Sequence, residues 1–561
     1  MSIREIQKQM TGDVLLIFRN NQFLGQDILD EENKILALTG FDGSAGKLAI
    51  TPQKAVLFVD GRYEIQAKQQ VDSKIVTVIV EDGTQDFDTW MKDNYAAAKI
   101  AYNPWQISAL MLQKMQKNLP EAKWLPQPEL MPIKRAKAFE LPFEYTGETA
   151  NDKIAKLAEN IKRSGVSAAL ITAADSVSWL TNLRSDALPD SPIVRAMALV
   201  TAERDLILLA DNLILPAVYR SKRRSLREIK KLLKPFAGKK INADFNKTPA
   251  AIVAICQELG ITTEDCADFC AISKAEKNAV ELQGMINAHI RDGVAMCKFL
   301  AWFEKNHKNK TEAEIADKLL YFRKKQALFY SLSFGTIAGS GANAAIIHYQ
   351  PKKDACALVA ENSVLLLDSG GQYFDGTTDI TRTIAVGQPS EEMIEKFTIV
   401  LKAHIALASQ QFPSHTSGMR LDAVCRSVMW RYGLDYKHGT GHGVGCFLNV
   451  HEGPQNIGSS GNNYPIKENM VVSIEPGYYQ EGKFGIRIEN LVYTAPAATA
   501  DFLKFVPLTF VPIDYRLIDK YILREGEINW LNNYHQTVRK LIGPYLNEKE
   551  RKWLEKACSP L

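Results

Sequence analysis

Short apolar runs alternate with stretches whose apolar residues return every three or four places along the first two-thirds of the chain, the spacings of buried strands and of helices with one buried face. Strands are predicted at Asp13 to Phe18, Lys47 to Thr51 and Ala55 to Asp60, and a helix at Glu31 to Leu38. A similar phrase returns ~150 residues later. There a helical Ser176 to Leu183 precedes strand-like Met197 to Thr201 and Leu206 to Leu209, set around a polar turn. The repetition predicts two related N-terminal α/β domains. Pro126-Gln-Pro-Glu-Leu-Met-Pro132 cannot continue a helix and reads as the linker between them. The expected division is 1–132, 133–274 and 275–561, the last opened by a long helix over Glu276 to Phe303.

A basic run from Tyr219 to Lys240 holds ten Lys or Arg against one acid, Glu228. Leu226, Ile229, Leu232 and Leu233 recur in it at helical spacing, and no aromatic residue interleaves between Arg220 and Lys234 to stack on bases. A helix with a buried stripe and a solvated cationic face is therefore expected, not a nucleic-acid surface. The net charge of +4 on 561 residues, 46% of them hydrophobic, gives no whole-protein field toward nucleic acid. Apolar stretches such as Ser363 to Leu367 are too short to cross a bilayer. The first eight residues are polar and amphipathic without an apolar core and cleavage site, so a cytoplasmic location is expected. The eight cysteines are scattered, and reduced, mostly buried thiols are expected.

Four carboxylates and one imidazole, Asp368, Asp379, Glu475, Glu489 and His442, gather in the C-terminal domain in segments that read mostly as paired strands. Each alone reads as a cap or loop residue; their grouping is what points to a metal site. Two divalent cations close together need about this many anionic oxygens, and a set so rich in carboxylate suits manganese, cobalt or zinc better than copper. Met470 to Pro476 and Phe484 to Asn490 form a predicted hairpin about Gly482, a centre that sets Glu475 opposite Glu489 on one face. Facing carboxylates repel unless they share a cation or one is protonated. Ser473 and Arg487 belong to the same face, whereas Ile474, Ile486 and Ile488 point toward covering helices.

Asp368 closes an apolar strand from Ser363, and Asp375-Gly376 is the turn signal before Asp379. That turn lies too late for the two aspartates to face one another without a bulge or wider loop, which leaves their register open. From His438 to Gly445 every second residue is glycine, which excludes a helix, and no Lys-Ser or Lys-Thr follows to make a phosphate loop. The glycines are expected to make room at the site.

Leu367 to Tyr373, Asp375 to Thr383, His438 to Gly445, Asn449 to Pro454 and Glu475 to Tyr479 together resemble the signature segments of aminopeptidase P. The resemblance covers Glu276 onward, and the two preceding modules fit the long form of that family. It implies a pita-bread catalytic domain, the fold of methionine aminopeptidase, prolidase and creatinase. It implies that Asp368 ligates one manganese ion, that Asp379 and Glu489 bridge two, and that His442 and Glu475 complete the second, with cobalt or zinc as substitutes. His348 and His451 would line the substrate site beside the scissile carbonyl, Arg487 would orient the carboxylates, and His438 would support the glycine loop at the substrate. The implied activity is release of the first residue from peptides with proline second, through attack of a hydroxide bridging the metals, with Glu475 as proton shuttle. Prolidase, confined to dipeptides, is the nearest alternative; a pita-bread peptide binder without activity is a more distant one. The two extra domains weigh against the first and the five intact ligand positions against the second. Long-form relatives also imply a homodimer.

Overall fold

Lys47–Ile50 and Ala55–Asp60 form where the apolar runs predict strands, inside a six-stranded sheet ordered Val76–Glu81, Ala55–Asp60, Lys47–Ile50, Val14–Phe18, Lys99–Tyr102, Lys123–Pro126. A second sheet repeats the plan with Arg223–Arg224, Leu206–Leu209, Met197–Thr201, Ala168–Ile171, Lys240–Ala243 and Thr262–Asp265. In both, the third strand is antiparallel to its two neighbours and the remaining junctions are parallel. The recurrent phrase of the sequence is thus a recurrent topology. Leu48, Ala49 and Ile50, and Val56 to Val59, are buried on both faces, as strands between covering layers are.

The structure is a computed structural model and describes residues 2–459 and 463–561, so Met1, the first residue of the polar N-terminal segment, lies outside it. The described chain divides into two units, one of residues up to Ala271 and one of Ile272–Leu561, with Phe143–Gly147 and Pro189–Ser191 joined to the second. No helix among the described residues is long and apolar enough to cross a membrane. All eight cysteines stay outside disulfides, and six are buried.

Three predicted helices come out differently. The one expected at Glu31 to Leu38 is Lys34–Thr39, because Asn33 caps a new start with its side chain after a separate 3-10 turn, Asp30–Glu32. The one at Ser176 is Ala174–Thr181, because Asn182 adopts a left-handed conformation (φ 54°) and Leu183 begins a strand. The basic run is not one helix: Ala217–Arg220 ends at Ser221, Ser225 caps a new start with its side chain, and Pro235 follows Leu233. Leu226, Ile229 and Leu233 still bury their side chains, so the apolar stripe survives on a shorter element. The long helix is Ala279–Asn306, started by Asn278, whose side chain accepts from the Val280 and Glu281 N–H groups in a capping box.

In the second unit, a six-stranded sheet runs Gln411–Pro413, Phe502–Pro507, Asn490–Pro496, Val471–Ile474, Gly441–Gly443, Glu452–Ile457. Ile337–Ser340, Ser363–Ser369 and Ile380–Val386 form a three-stranded sheet, and Gly477–Gln480 with Phe484–Arg487 a two-stranded one. Ile474, Ile486 and Ile488 are fully buried in one cluster with Phe397, Ile399 and Val400 of helix Glu391–Ala408. Each such side chain contributes roughly 1.5–3 kcal/mol by burial, so the hairpin is held from behind while its other face stays polar.

Candidate metal centre

The hairpin about Gly482 keeps a single register over its whole length, from Gln480 facing Phe484 to Val471 facing Tyr493. Between its two ladders the Ile488 N–H donates to the Pro476 carbonyl (3.3 Å), and Glu475 and Glu489 fall opposite one another there as the turn centre requires. The other hairpin is also regular: Asp368 faces Thr381, Ser369 faces Ile380 and Tyr373 faces Gly376, about a centre between Phe374 and Asp375. No bulge intervenes. Asp379 is therefore the diagonal, not the facing, neighbour of Asp368, still within reach across a sheet face.

His442 lies in the short strand Gly441–Gly443, which pairs with Glu452–Ile457 and with Val471–Ile474. The room its glycines make is taken by backbone: a Cβ on Gly441 would overlap the Ser473 carbonyl. The glycines thus serve close strand approach, where the sequence pattern had pointed to space for a ligand. The His442 N–H donates to Ser473 Oγ (2.9 Å), and Ser473 Oγ donates to Glu475 Oε1 (3.4 Å).

The three hairpin and loop segments converge. Asp379, His442 and Glu489 each offer a ligand atom within 4.8 Å of the others. His442 Nε2 is 3.5 Å from Asp379 Oδ2 and 3.7 Å from Glu475 Oε1, beyond good hydrogen bonds. Its Nδ1, 2.9 Å from the Gly443 carbonyl, must carry the proton because a carbonyl only accepts, so Nε2 is turned toward the acids. Asp368 Oδ1, Asp379 Oδ1 and Glu489 Oε1 are buried with no hydrogen-bond partner among the described residues. Burial, then the charges of Asp368 and Glu475, push the Asp379 carboxyl well above its ordinary range; burial and Asp379 do the same to Glu489, and burial raises Glu475. Buried anions with unfilled lone pairs around an imidazole lone pair fit divalent cations, whose charge reverses this electrostatic penalty.

Arg487, 2% exposed, ties the acids together: Nη2 donates to Asp368 Oδ2 (2.6 Å), Nη1 to Tyr479 Oη (2.6 Å) and Nε to Thr381 Oγ1 (3.2 Å), which donates to Glu489 Oε2 (2.9 Å). Tyr479 in turn meets His438 Nε2 at 2.8 Å, while His438 Nδ1 donates to the Gly439 carbonyl. The Tyr479 hydroxyl, accepting from Arg487, therefore donates to His438, which burial keeps neutral by lowering its basicity. His451 is exposed, its ring 4.3 Å from that of His442, and half-buried His348 is near enough to His438 to depress its basicity further. Tyr479, Thr381 and Ser473 carry no role in the sequence reading beyond strand or motif membership. Only their side-chain partners, not their types, reveal them.

Fold and donor set together define a metal-dependent hydrolase. A family model for metallopeptidase family M24 matches residues 283–496, one for the C-terminal region of that peptidase 501–561, and two creatinase/prolidase N-terminal domain models 3–136 and 127–281. A probable Xaa-Pro aminopeptidase P of Laccaria bicolor is 36% identical over all of this chain and 92% of its own length. The crystal structure of X-prolyl aminopeptidase from Caenorhabditis elegans, described as a cytosolic enzyme with a di-nuclear active site, superposes with a TM-score of 0.94 at 33% identity over 100% of this chain and 98% of that one. A prolidase from Thermococcus sibiricus shares the fold over 65% of this chain and 98% of its own, with a TM-score of 0.52 at 24% identity. The chain belongs to metallopeptidase family M24, within its aminopeptidase P group.

Proposed function

We propose that this chain is a two-metal aminopeptidase that releases the first residue of peptides whose second residue is proline. The observation that carries the proposal is the meeting of Asp379, His442 and Glu489 within 4.8 Å, with three buried carboxylate oxygens left without partners, in a chain similar along its full length to Xaa-Pro aminopeptidases P. Asp368, Asp379, His442, Glu475 and Glu489 hold the metals, and manganese suits this oxygen-rich set, with cobalt or zinc as substitutes. Bound there, the metals lower the pKa of a water and polarise the scissile carbonyl. Glu475, beside His442 at the open side of the site, takes the proton from the attacking water and passes it to the proline nitrogen as the C–N bond breaks. His348 and His451 donate to the carbonyl oxygen as it gains charge, and Arg487 fixes Asp368 through its guanidinium. His438, held by Tyr479, keeps the glycine strand in place beside the substrate.

The full-length similarity favours this reading over prolidase, whose solved form matches only 65% of the chain. We further propose domain limits of 1–132, 133–274 and 275–561, a homodimer, and a cytoplasmic location in keeping with the described cytosolic nematode enzyme. The test is cleavage of Arg-Pro-Pro against Arg-Pro by manganese-loaded protein. Release of arginine from the tripeptide is expected, falling about 10²–10⁴-fold in Glu475→Gln. Cleavage of the dipeptide alone would make the chain a prolidase.

A further inference from the structure

Residues 341–362 join strand Ile337–Ser340 to strand Ser363–Ser369 with one short 3-10 turn, Gly341–Ala345, as their only helix or strand. A connection this long needs anchors to hold a defined shape. His348 sits in its middle. One carboxylate gathers the connection: Glu312, the first residue of helix Glu312–Arg323 and fully buried. Its Oε1 accepts from the Ser340 N–H (2.7 Å) and Asn343 Nδ2 (3.1 Å), and its Oε2 from Tyr349 Oη (2.6 Å) and the Ala357 N–H (2.9 Å). The Glu312 N–H returns a bond to the Ala357 carbonyl (2.9 Å).

Four donors fill the four lone-pair positions of a carboxylate, and they come from the start, the turn, the middle and the far part of the connection. His348 is thereby pinned on both sides. Tyr349 is bonded to Glu312, and the Ile347 carbonyl accepts from Arg487 Nη2 (3.4 Å). The turn itself is backed onto the metal hairpin, since a Cβ on Gly485 would overlap the Ala344 carbonyl. We infer that Glu312 is a positioning residue: it sets His348 against the substrate carbonyl without touching substrate or metal. The inference rests on the proposed role of His348.

Glu312→Gln replaces one acceptor oxygen with an N–H₂ group among the donors Ser340 N–H, Asn343 Nδ2, Tyr349 Oη and Ala357 N–H, so those facing the replaced oxygen lose their acceptor. On Arg-Pro-Pro its kcat/KM should fall about 10–100-fold with metal content unchanged, but less than about threefold when introduced into His348→Ala, because coupled residues fail to add. A role confined to fold stability would give equal losses in both backgrounds and overturn the inference. Tyr349→Phe removes a single donor, serves if Glu312→Gln does not fold, and should show a smaller loss with the same dependence on His348. A readout independent of activity is tryptic cleavage after the exposed Lys352 and Lys353. It should quicken in Glu312→Gln; an unchanged rate would also overturn the inference. Inactive wild type with quickened cleavage in the variant would instead refute the peptidase reading while leaving Glu312 as the loop's anchor.

Discussion

One guanidinium serves four acceptors on Arg487: Asp368 Oδ2, Tyr479 Oη, Thr381 Oγ1 and the Ile347 carbonyl. A lysine ammonium has neither the donors nor the flat fork to do this. Arg487→Lys should therefore lower kcat/KM and metal affinity by about 10–100-fold, the usual consequence of losing a group that orients ligands, as read by metal titration and peptide turnover. Unchanged metal affinity would show that Asp368 needs no such hold. The four acids and one imidazole stand out in the sequence because carboxylates grouped on strands are costly enough to call for a cation. Tyr479 and Thr381 do not, since tyrosine and threonine are ordinary strand residues whose partners lie far along the chain.

The Gly482 hairpin can be read from its turn alone, because one centre determines every facing pair of a regular antiparallel ribbon. Asp368 and Asp379 resist the same reading because their strongest turn signal, Asp375-Gly376, lies just past the true centre, and a one-residue error changes which residues face. Gly441 shows what a strand contact of this closeness demands. In Gly441→Ala the new methyl overlaps the Ser473 carbonyl, so the strand carrying His442 must move away from Val471–Ile474. Metal binding should weaken at least about tenfold and the unfolding midpoint should drop by several degrees. Metal titration and thermal melts on the same sample check both; a variant with native affinity would mean His442 can shift freely.

Across the whole molecule, the repeated phrase in the N-terminal sequence was a sound guide to two sheets of one topology, whereas the breaks in the basic run depend on Ser225 and Pro235, short-range signals that outweigh its leucine spacing. The catalytic unit also buries three neutral histidines: burial pushes His289 and His535 down to about 4 and His404 to about 3. Their folded-state values lie below the unfolded value near 6.5, so the unfolded chain gains protons first as pH falls. Their contribution is full above about pH 6.5 and is lost on the way to about pH 4 for His289 and His535 and about pH 3 for His404, at up to about 1.4 kcal/mol per pH unit for each histidine. His404 bonds the Ile474 carbonyl (3.0 Å). His404→Asn should show a shallower loss of stability between pH 6.5 and 5 than wild type in denaturant titrations, and an identical slope would refute the assignment. The proposal as a whole stands on a pair of cations held by Asp368, Asp379, His442, Glu475 and Glu489. Stripping the protein of metal and titrating manganese back while following arginine release from Arg-Pro-Pro tests it directly. Activity absent in the stripped protein and saturating near two equivalents per chain is expected; hydrolysis indifferent to metal, or none at any manganese concentration, would contradict it.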